Sequence, residues 1–283
     1  MRSMIGQCTL LALWAAAAAA QTRVDNRVGA PPDTVVFRSA SFNLRGLIFR
    51  PAGPGPHPAV LFLHGSGQDY TREVAAVGPR YASGGYVLFV PFRRGQGLSA
   101  GQGEAIVARM DREGEARGPE ARMRLMTELL ATEQMDDVLA ALAFLRRLPG
   151  VDSMRIAVAG NSFGGILSVF SAARAPGIRA AIASAPAALT WADAPTLRDR
   201  LREAASNARV PVFYFQAQND RDLTPTQELA AEMARAGRLH VRRVYPPFGV
   251  TDTEGHSFGY FGGETWGPDV FAFLAQQMGA TQR

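Results

Sequence analysis

No lysine occurs anywhere in the 283 residues, and all thirty cationic side chains other than histidine are arginine. Lysine general bases, Schiff-base chemistry and a phosphate-binding loop built on lysine are thereby excluded. Cysteine is nearly absent as well. Its one occurrence, Cys8, lies in an N-terminal apolar segment, so a chain cleaved after that segment has neither a thiol nucleophile nor a disulfide framework. Cys8 also precedes the main apolar run, which is the wrong place for a lipid-anchored cysteine. The four histidines include no pair at metal-ligand spacing. Positive charge is not gathered either: the net charge is +5, but arginine alternates with aspartate and glutamate without a basic block. That pattern describes a solvated, mixed-sign surface rather than a nucleic-acid footprint. No glycine-rich dinucleotide fingerprint follows the first strands, and the sequence predicts neither a cofactor nor a metal.

What the chain does have begins with Arg2, a short apolar run from Thr9 to Trp14 and an alanine tract to Ala20. A positive start, a short apolar segment and small residues before a cleavage point describe a secretory signal peptide over 1–20. The stretch is too short for a membrane span. The mature protein is expected to be secreted or periplasmic, without stable membrane insertion, and to start with a loose leader over 21–33. Residues 34–283 then read as one domain. Val35–Phe37 and Leu44–Phe49 form a predicted antiparallel hairpin joined around 41–43, and the proline-rich stretch 51–58 forms a loop. Buried strands follow at 59–63, 86–90, 155–159, 180–183, 210–217 and 239–245. Helices are predicted over 71–83, 121–148 (one or two), 166–170 onward, 226–236 and 269–278, with a polar helical excursion at 189–208. Residues 93–119 form an insert with six glycines, many charges and little apolar periodicity, which reads as a long functional or mobile loop. The expected fold is α/β, a mostly parallel sheet of about eight strands with helices on both faces.

The chemistry centres on Gly160-Asn161-Ser162-Phe163-Gly164, set between a buried strand and a helix. Strand, G-x-S-x-G, helix is the nucleophile-elbow arrangement, in which a serine sits on a strained turn and small flanking residues let backbones approach. A serine hydroxyl is a weak nucleophile and needs a base, itself oriented by a third group. Of the histidines, His57 reads as a surface residue, His240 as a strand residue and His64 as support for the oxyanion loop. His256 remains as the base, after the last strand and on the sheet edge that carries Ser162. The acid belongs after the strand ending at Ala217. Asp220 is nearer the strand end and is preferred, with Asp222 as the alternative, free instead to cap the next helix or bond Thr224. Glu254 is too close to His256 in sequence to reach its ring well. Two backbone amides complete an oxyanion hole, those of Phe163 and Ser66, each typically worth ~3–4 kcal/mol of barrier. Phe92, Phe163, Trp191 and Phe258 are candidate pocket walls, with core packing as the competing role for each.

HGSG at 64–67, RRGQGLS at 93–99, GNSFGG at 160–165, QNDRDLTP at 218–225 and GHSFG at 255–259 occur in one order, followed by the ending Trp266–Leu274. Together they resemble the α/β-hydrolase superfamily and, within it, the dienelactone hydrolase-like branch. The resemblance implies the α/β-hydrolase fold and the catalytic roles of Ser162, Asp220 and His256. Dienelactone hydrolases proper carry cysteine where this chain has Ser162, so the resemblance implies a carboxylesterase acting on a small-molecule ester. The GxSxGG form is also similar to the catalytic domain of prolyl-oligopeptidase-like peptidases, so a peptidase or amidase on the same triad is the second reading. Acyl transfer to an alcohol is a third, and a non-catalytic binding protein that keeps only the fold is a fourth. The sequence says nothing of oligomeric state.

Overall fold

A computed structural model describes residues 31–279; the expected signal peptide and most of the leader lie outside them. The chain opens with β1 (Asp33–Ser39) and β2 (Phe42–Phe49), an antiparallel pair around the tight turn at Ala40 and Ser41. There follow β3 (His57–Leu63), α1 (Thr71–Ser83) and β4 (Val87–Pro91). A 3-10 turn at Gly97–Ser99 leads into α2 (Ile106–Arg117), α3 (Pro119–Ala131) and α4 (Glu133–Leu145). Next come β5 (Val151–Asn161), α5 (Phe163–Arg174), β6 (Ala180–Ser184), α6 (Pro195–Ser206), β7 (Val212–Ala217), α7 (Thr224–Arg235) and β8 (His240–Tyr245). The chain closes with the short helices α8 (Asp252–His256) and α9 (Phe258–Phe261), then α10 (Gly263–Met278).

The eight strands form one sheet in the order β1-β2-β4-β3-β5-β6-β7-β8. Only β2 runs against its neighbours, and the pairs from β4 to β8 are all parallel. Both faces are covered. Alternate residues of β3 divide between two cores: Ala59, Leu61 and Leu63 pack with α3, α4 and α5, whereas Val60 and Phe62 pack with α1 and α10. A strand buried on both faces must be apolar throughout, which is why these strands read as continuous runs. Among the described residues no helix is long and apolar enough to cross a membrane.

Four expectations need correction. Residues 93–119 are not a structureless loop, because most of the stretch is the 3-10 turn and α2. Only Ile106 and Met110 of α2 are buried, so the helix has almost no apolar stripe by which to announce itself. The segment bearing His256 is likewise helical, as α8 and α9. His57 belongs to β3, pairing with Val151 across to β5, rather than to the proline-rich loop. Finally, α10 begins at Gly263, six residues before the sequence suggested. The stretch 121–148 resolves into α3 and α4, broken at Thr132, whose φ of −119° and ψ of −94° leave the helical region.

Parallel register sets the strand ends on one edge. Leu63 lies opposite Gly160, Asn161 opposite Ser184, and Ala217 opposite Tyr245. The segments leaving β3, β5, β7 and β8 therefore emerge side by side, and they carry the residues singled out above.

Candidate active site

Ser162 joins β5 to α5 with φ 58° and ψ −119°, a conformation costing a non-glycine residue about 1–3 kcal/mol. The turn persists because its surroundings leave no other path. A Cβ at Gly164 would lie 1.8 Å from the Leu63 carbonyl oxygen, and one at Gly160 would lie 2.4 Å from the Gly164 oxygen. Glycine at both places lets the elbow press against β3. The Ser162 N–H donates to the Ser184 carbonyl at 3.1 Å, which anchors the turn to β6. A Cβ built on Gly65 would meet the Ser162 Cβ at 3.3 Å, so the loop after β3 lies directly alongside the serine.

Asp220 is 7% exposed, and its Oδ1 lies 2.9 Å from Nδ1 of His256. The carboxylate also accepts from the Gln216 side chain at 2.7 Å and from the Arg221 amide at 2.8 Å. Gln216 is itself fixed by the Thr226 hydroxyl at 2.6 Å. Asp222 accepts from the Thr224 amide at 2.8 Å and so serves the start of α7. Of the two aspartates, then, the one facing His256 is Asp220. Glu254 forms a capping box with Thr251 at the start of α8, and the donors at Val250 and Thr251 hold its carboxyl below the usual range. That box fixes the one-turn helix ending at His256.

With Nδ1 turned toward a carboxylate, the imidazole presents Nε2 as its lone-pair nitrogen. Nε2 is buried and has no hydrogen-bond partner among the described residues. The His256 carbonyl accepts from the Asn161 side chain at 3.2 Å, tying this segment to the residue before Ser162. Glycines make the approach possible on both sides: a Cβ at Gly255 would strike the Asn219 backbone at 2.7 Å, and one at Gly259 would strike Asn161 Oδ1 at 2.3 Å. The His256 segment thus packs against the residue before Ser162, and no hydrogen bond joins Oγ to Nε2. Such bonds commonly tighten only when substrate binds.

The loop 64–67 has nearly all of its backbone accounted for. Arg93 donates to the carbonyls of His64 at 2.8 Å and Gly65 at 2.7 Å. The Gln96 side chain donates to those of Ser66 at 3.1 Å and Gly67 at 2.9 Å. On the other side, the Gly65 amide donates to the Tyr260 hydroxyl at 2.9 Å and the Gly67 amide to the Tyr70 hydroxyl at 2.5 Å. The Ser66 amide is left without an acceptor in the loop's network, as is the Phe163 amide in the first turn of α5. Sequence reasoning named the two amides but not Arg93, Gln96, Tyr70, Tyr260 and Gln216, which bind the loop and Asp220. The RRGQG run was the available signal for the first two.

His64 is fully buried, and burial followed by the nearby Arg93 charge holds its pKa well below the ordinary value of 6.5. Nε2 accepts from the Arg93 amide at 3.3 Å, so Nδ1 carries the proton and donates to the Gly65 carbonyl at 3.1 Å. The unfolded chain binds a proton here that the folded one refuses. Stability from this residue is therefore whole above pH 6.5 and is lost as the pH falls from there toward the depressed folded value. Urea titrations of wild type and His64→Gln between pH 7.5 and 5.5 should show the wild type losing more, by up to about 1.4 kcal/mol per pH unit. Parallel losses in the two proteins would contradict this.

Of the candidate pocket walls, Phe92 lines a cavity of about 290 Å³ with Gln68, Tyr70 and Leu98, beside the loop 64–67. Its ring also packs on His64, centroids 5.7 Å apart. Trp191 and Phe258 sit elsewhere. Trp191 is a core residue on the α6 side, with the Arg202 guanidinium over its ring at 5.8 Å. Phe258 is 2% exposed and packs against Tyr245 and Phe248 at 5.3 and 5.4 Å, a core role forced by its place under the His256 segment. Phe163 is buried in the core as well.

A relative from Bacillus subtilis, described as the uncharacterized peptidase YtmA, is 29% identical over 155 residues, covering 53% of this chain and 49% of its own. The quorum-quenching protein AidA of Acinetobacter baumannii is 26% identical over 161 residues, covering 57% of this chain and 46% of its own. The chain thus spans about half the length of these curated relatives. Among solved structures, the Pyrococcus furiosus esterase Pf2001 superposes with a TM-score of 0.65 at 16% identity, over 89% of this chain and 92% of that one. The acylaminoacyl peptidase of Pyrococcus horikoshii gives 0.63 at 17% identity, over 89% of this chain and 42% of that one. Both are α/β-hydrolases and establish the fold. The sequence model of the dienelactone hydrolase family matches residues 44–259, a span that takes in most of β2, the elbow, Asp220 and His256, and the chain belongs to that family.

Proposed function

We propose that this protein is a secreted serine hydrolase that cleaves carboxylic esters through an acyl-enzyme on Ser162. The observation that carries the reading is the 2.9 Å contact between His256 Nδ1 and Asp220, which leaves Nε2 as a buried base beside the elbow. In the proposed reaction Ser162 Oγ bonds to the ester carbonyl carbon and its proton passes to His256 Nε2. The carbonyl oxygen becomes an oxyanion held by the Ser66 and Phe163 amides. As the C–O bond to the alcohol breaks, His256 returns the proton to that leaving group. Water then repeats the sequence on the acyl-enzyme and frees the acid. Secretion rests on residues 1–20 alone.

Esterase chemistry is favoured by the likeness to the Pyrococcus furiosus esterase, which is matched over nearly its full length. The same triad supports a peptidase or amidase, the second reading, favoured by the peptidase relative. A fluorophosphonate probe should label the wild-type protein, with the adduct mapped to Ser162. Turnover of a p-nitrophenyl ester should exceed that of aminoacyl anilides. Labelling elsewhere would refute the nucleophile, and faster anilide cleavage would reverse the order of the two readings.

A further inference from the structure

Arg93 is fully buried, and its partners are all neutral oxygens: the carbonyls of His64 and Gly65 and, at 2.7 Å from Nε, the Gln134 side chain. Among the described residues no carboxylate comes within ion-pair distance of it. The neighbouring Asp137 is taken instead by Arg94 at 2.7 Å and by the Ser39 hydroxyl at 2.6 Å. Stability alone disfavours an interior cation without a counter-ion. Burial draws the guanidinium pKa down to about 10, which still leaves it charged at neutral pH.

The placement of that charge is specific. The carbonyl of Gly65 and the amide of Ser66 are two ends of one peptide unit. A cation hydrogen-bonded to the oxygen end draws electrons from the nitrogen end and makes its N–H a stronger donor. The neighbouring unit is treated alike: Arg93 binds the His64 carbonyl, and the Gly65 amide at its other end donates to the Tyr260 hydroxyl. We infer that Arg93 is a positioning residue whose buried charge is relayed through the Gly65–Ser66 peptide to the oxyanion, strengthening a donor that the side chain itself never replaces. The inference rests on the esterase reading and deepens it. In a water-poor setting such a charge acts over the few ångströms involved with little screening.

A structural role and a relay make opposite predictions for Gln134→Glu. That change keeps an oxygen on Nε and adds a carboxylate that neutralises the guanidinium. A role limited to holding carbonyls predicts unchanged kcat. The relay predicts a kcat about tenfold lower for a p-nitrophenyl ester, KM within twofold, and Tm unchanged or raised. Binding of a trifluoromethyl ketone, whose adduct carries the oxyanion, should weaken by a similar factor. As a second set, Arg93→Lys keeps a charge and Arg93→Gln keeps a neutral donor, so Lys should retain the larger share of kcat. Gln134→Glu with kcat within twofold of wild type, or equal losses in Arg93→Lys and Arg93→Gln, would overturn the relay. If Gln134→Glu fails to fold, the arginine pair decides. An inert wild type that takes no probe at Ser162 would instead overturn the esterase reading beneath it.

Discussion

Ser162→Ala is expected to lower kcat for a p-nitrophenyl ester by about 10⁶, and Asp220→Asn by about 10⁴, when each is measured against wild type. In the proposed reaction the first variant lacks the atom that forms the acyl-enzyme. The second works through the imidazole. Asp220 accepts from three donors: the Gln216 side chain, the Arg221 amide and His256. An asparagine there must turn its own N–H₂ either toward Gln216, at the Oδ2 position, or toward His256 and the Arg221 amide, which share Oδ1. Facing His256, it forces the proton from Nδ1 to Nε2, where the ring can no longer accept one from the serine. Because the groups act as a unit, the double variant should be no slower than Ser162→Ala alone, whatever the sum of the single effects. Multiplying losses in the double variant would mean that Asp220 serves something other than this serine. Loss of ester turnover in Asp222→Asn comparable with that in Asp220→Asn would likewise contradict the geometry, since Asp222 is occupied at the Thr224 amide.

The pairing of Asp220 with His256 was legible in the sequence because chain order and strand ends constrain where both residues lie. β3, β5 and β7 are buried throughout their C-terminal halves, so the ends of their apolar runs mark the sheet edge that carries Ser162 and Asp220. The G-x-S-x-G turn then needs glycine for steric reasons visible in any sequence. Other parts leave no such trace. α2 is charged on most of its surface and reads as loop by periodicity. α8 is too short for a periodic pattern, and the capping-box spacing of Thr251 and Glu254 is a local signal of its start that the loop reading passed over. Arg93 and Gln96 bind carbonyls nearly thirty residues earlier, and nothing local in RRGQG says which backbone they serve. Phe258 shows the converse limit: an aromatic two residues after His256 reads the same whether it faces substrate or, as here, the core.

Gly164→Ala tests the elbow by a route independent of catalysis. Inside an exposed helix this substitution normally stabilises by about 1 kcal/mol, since alanine loses less entropy. Here the added Cβ would stand 1.8 Å from the Leu63 oxygen, 2.5 Å from its carbonyl carbon and 3.0 Å from the His64 oxygen. All three are backbone atoms, so no rotamer change relieves the contact. Either α5 tilts away or β3 parts from β5, where Leu63 pairs with Gly160. Both routes disturb the His64 carbonyl that Arg93 holds. A loss of about 4 kcal/mol or more is expected in urea unfolding, at the severe end for single substitutions. Gly114→Ala in α2 supplies the control, because its Cβ would meet only the flexible Arg122 side chain, at 3.1 Å. That variant should match or slightly exceed wild type. Equal stability of the two variants would show that the elbow does not need its small residue, and the close approach of β3 to Ser162 would lose its physical basis.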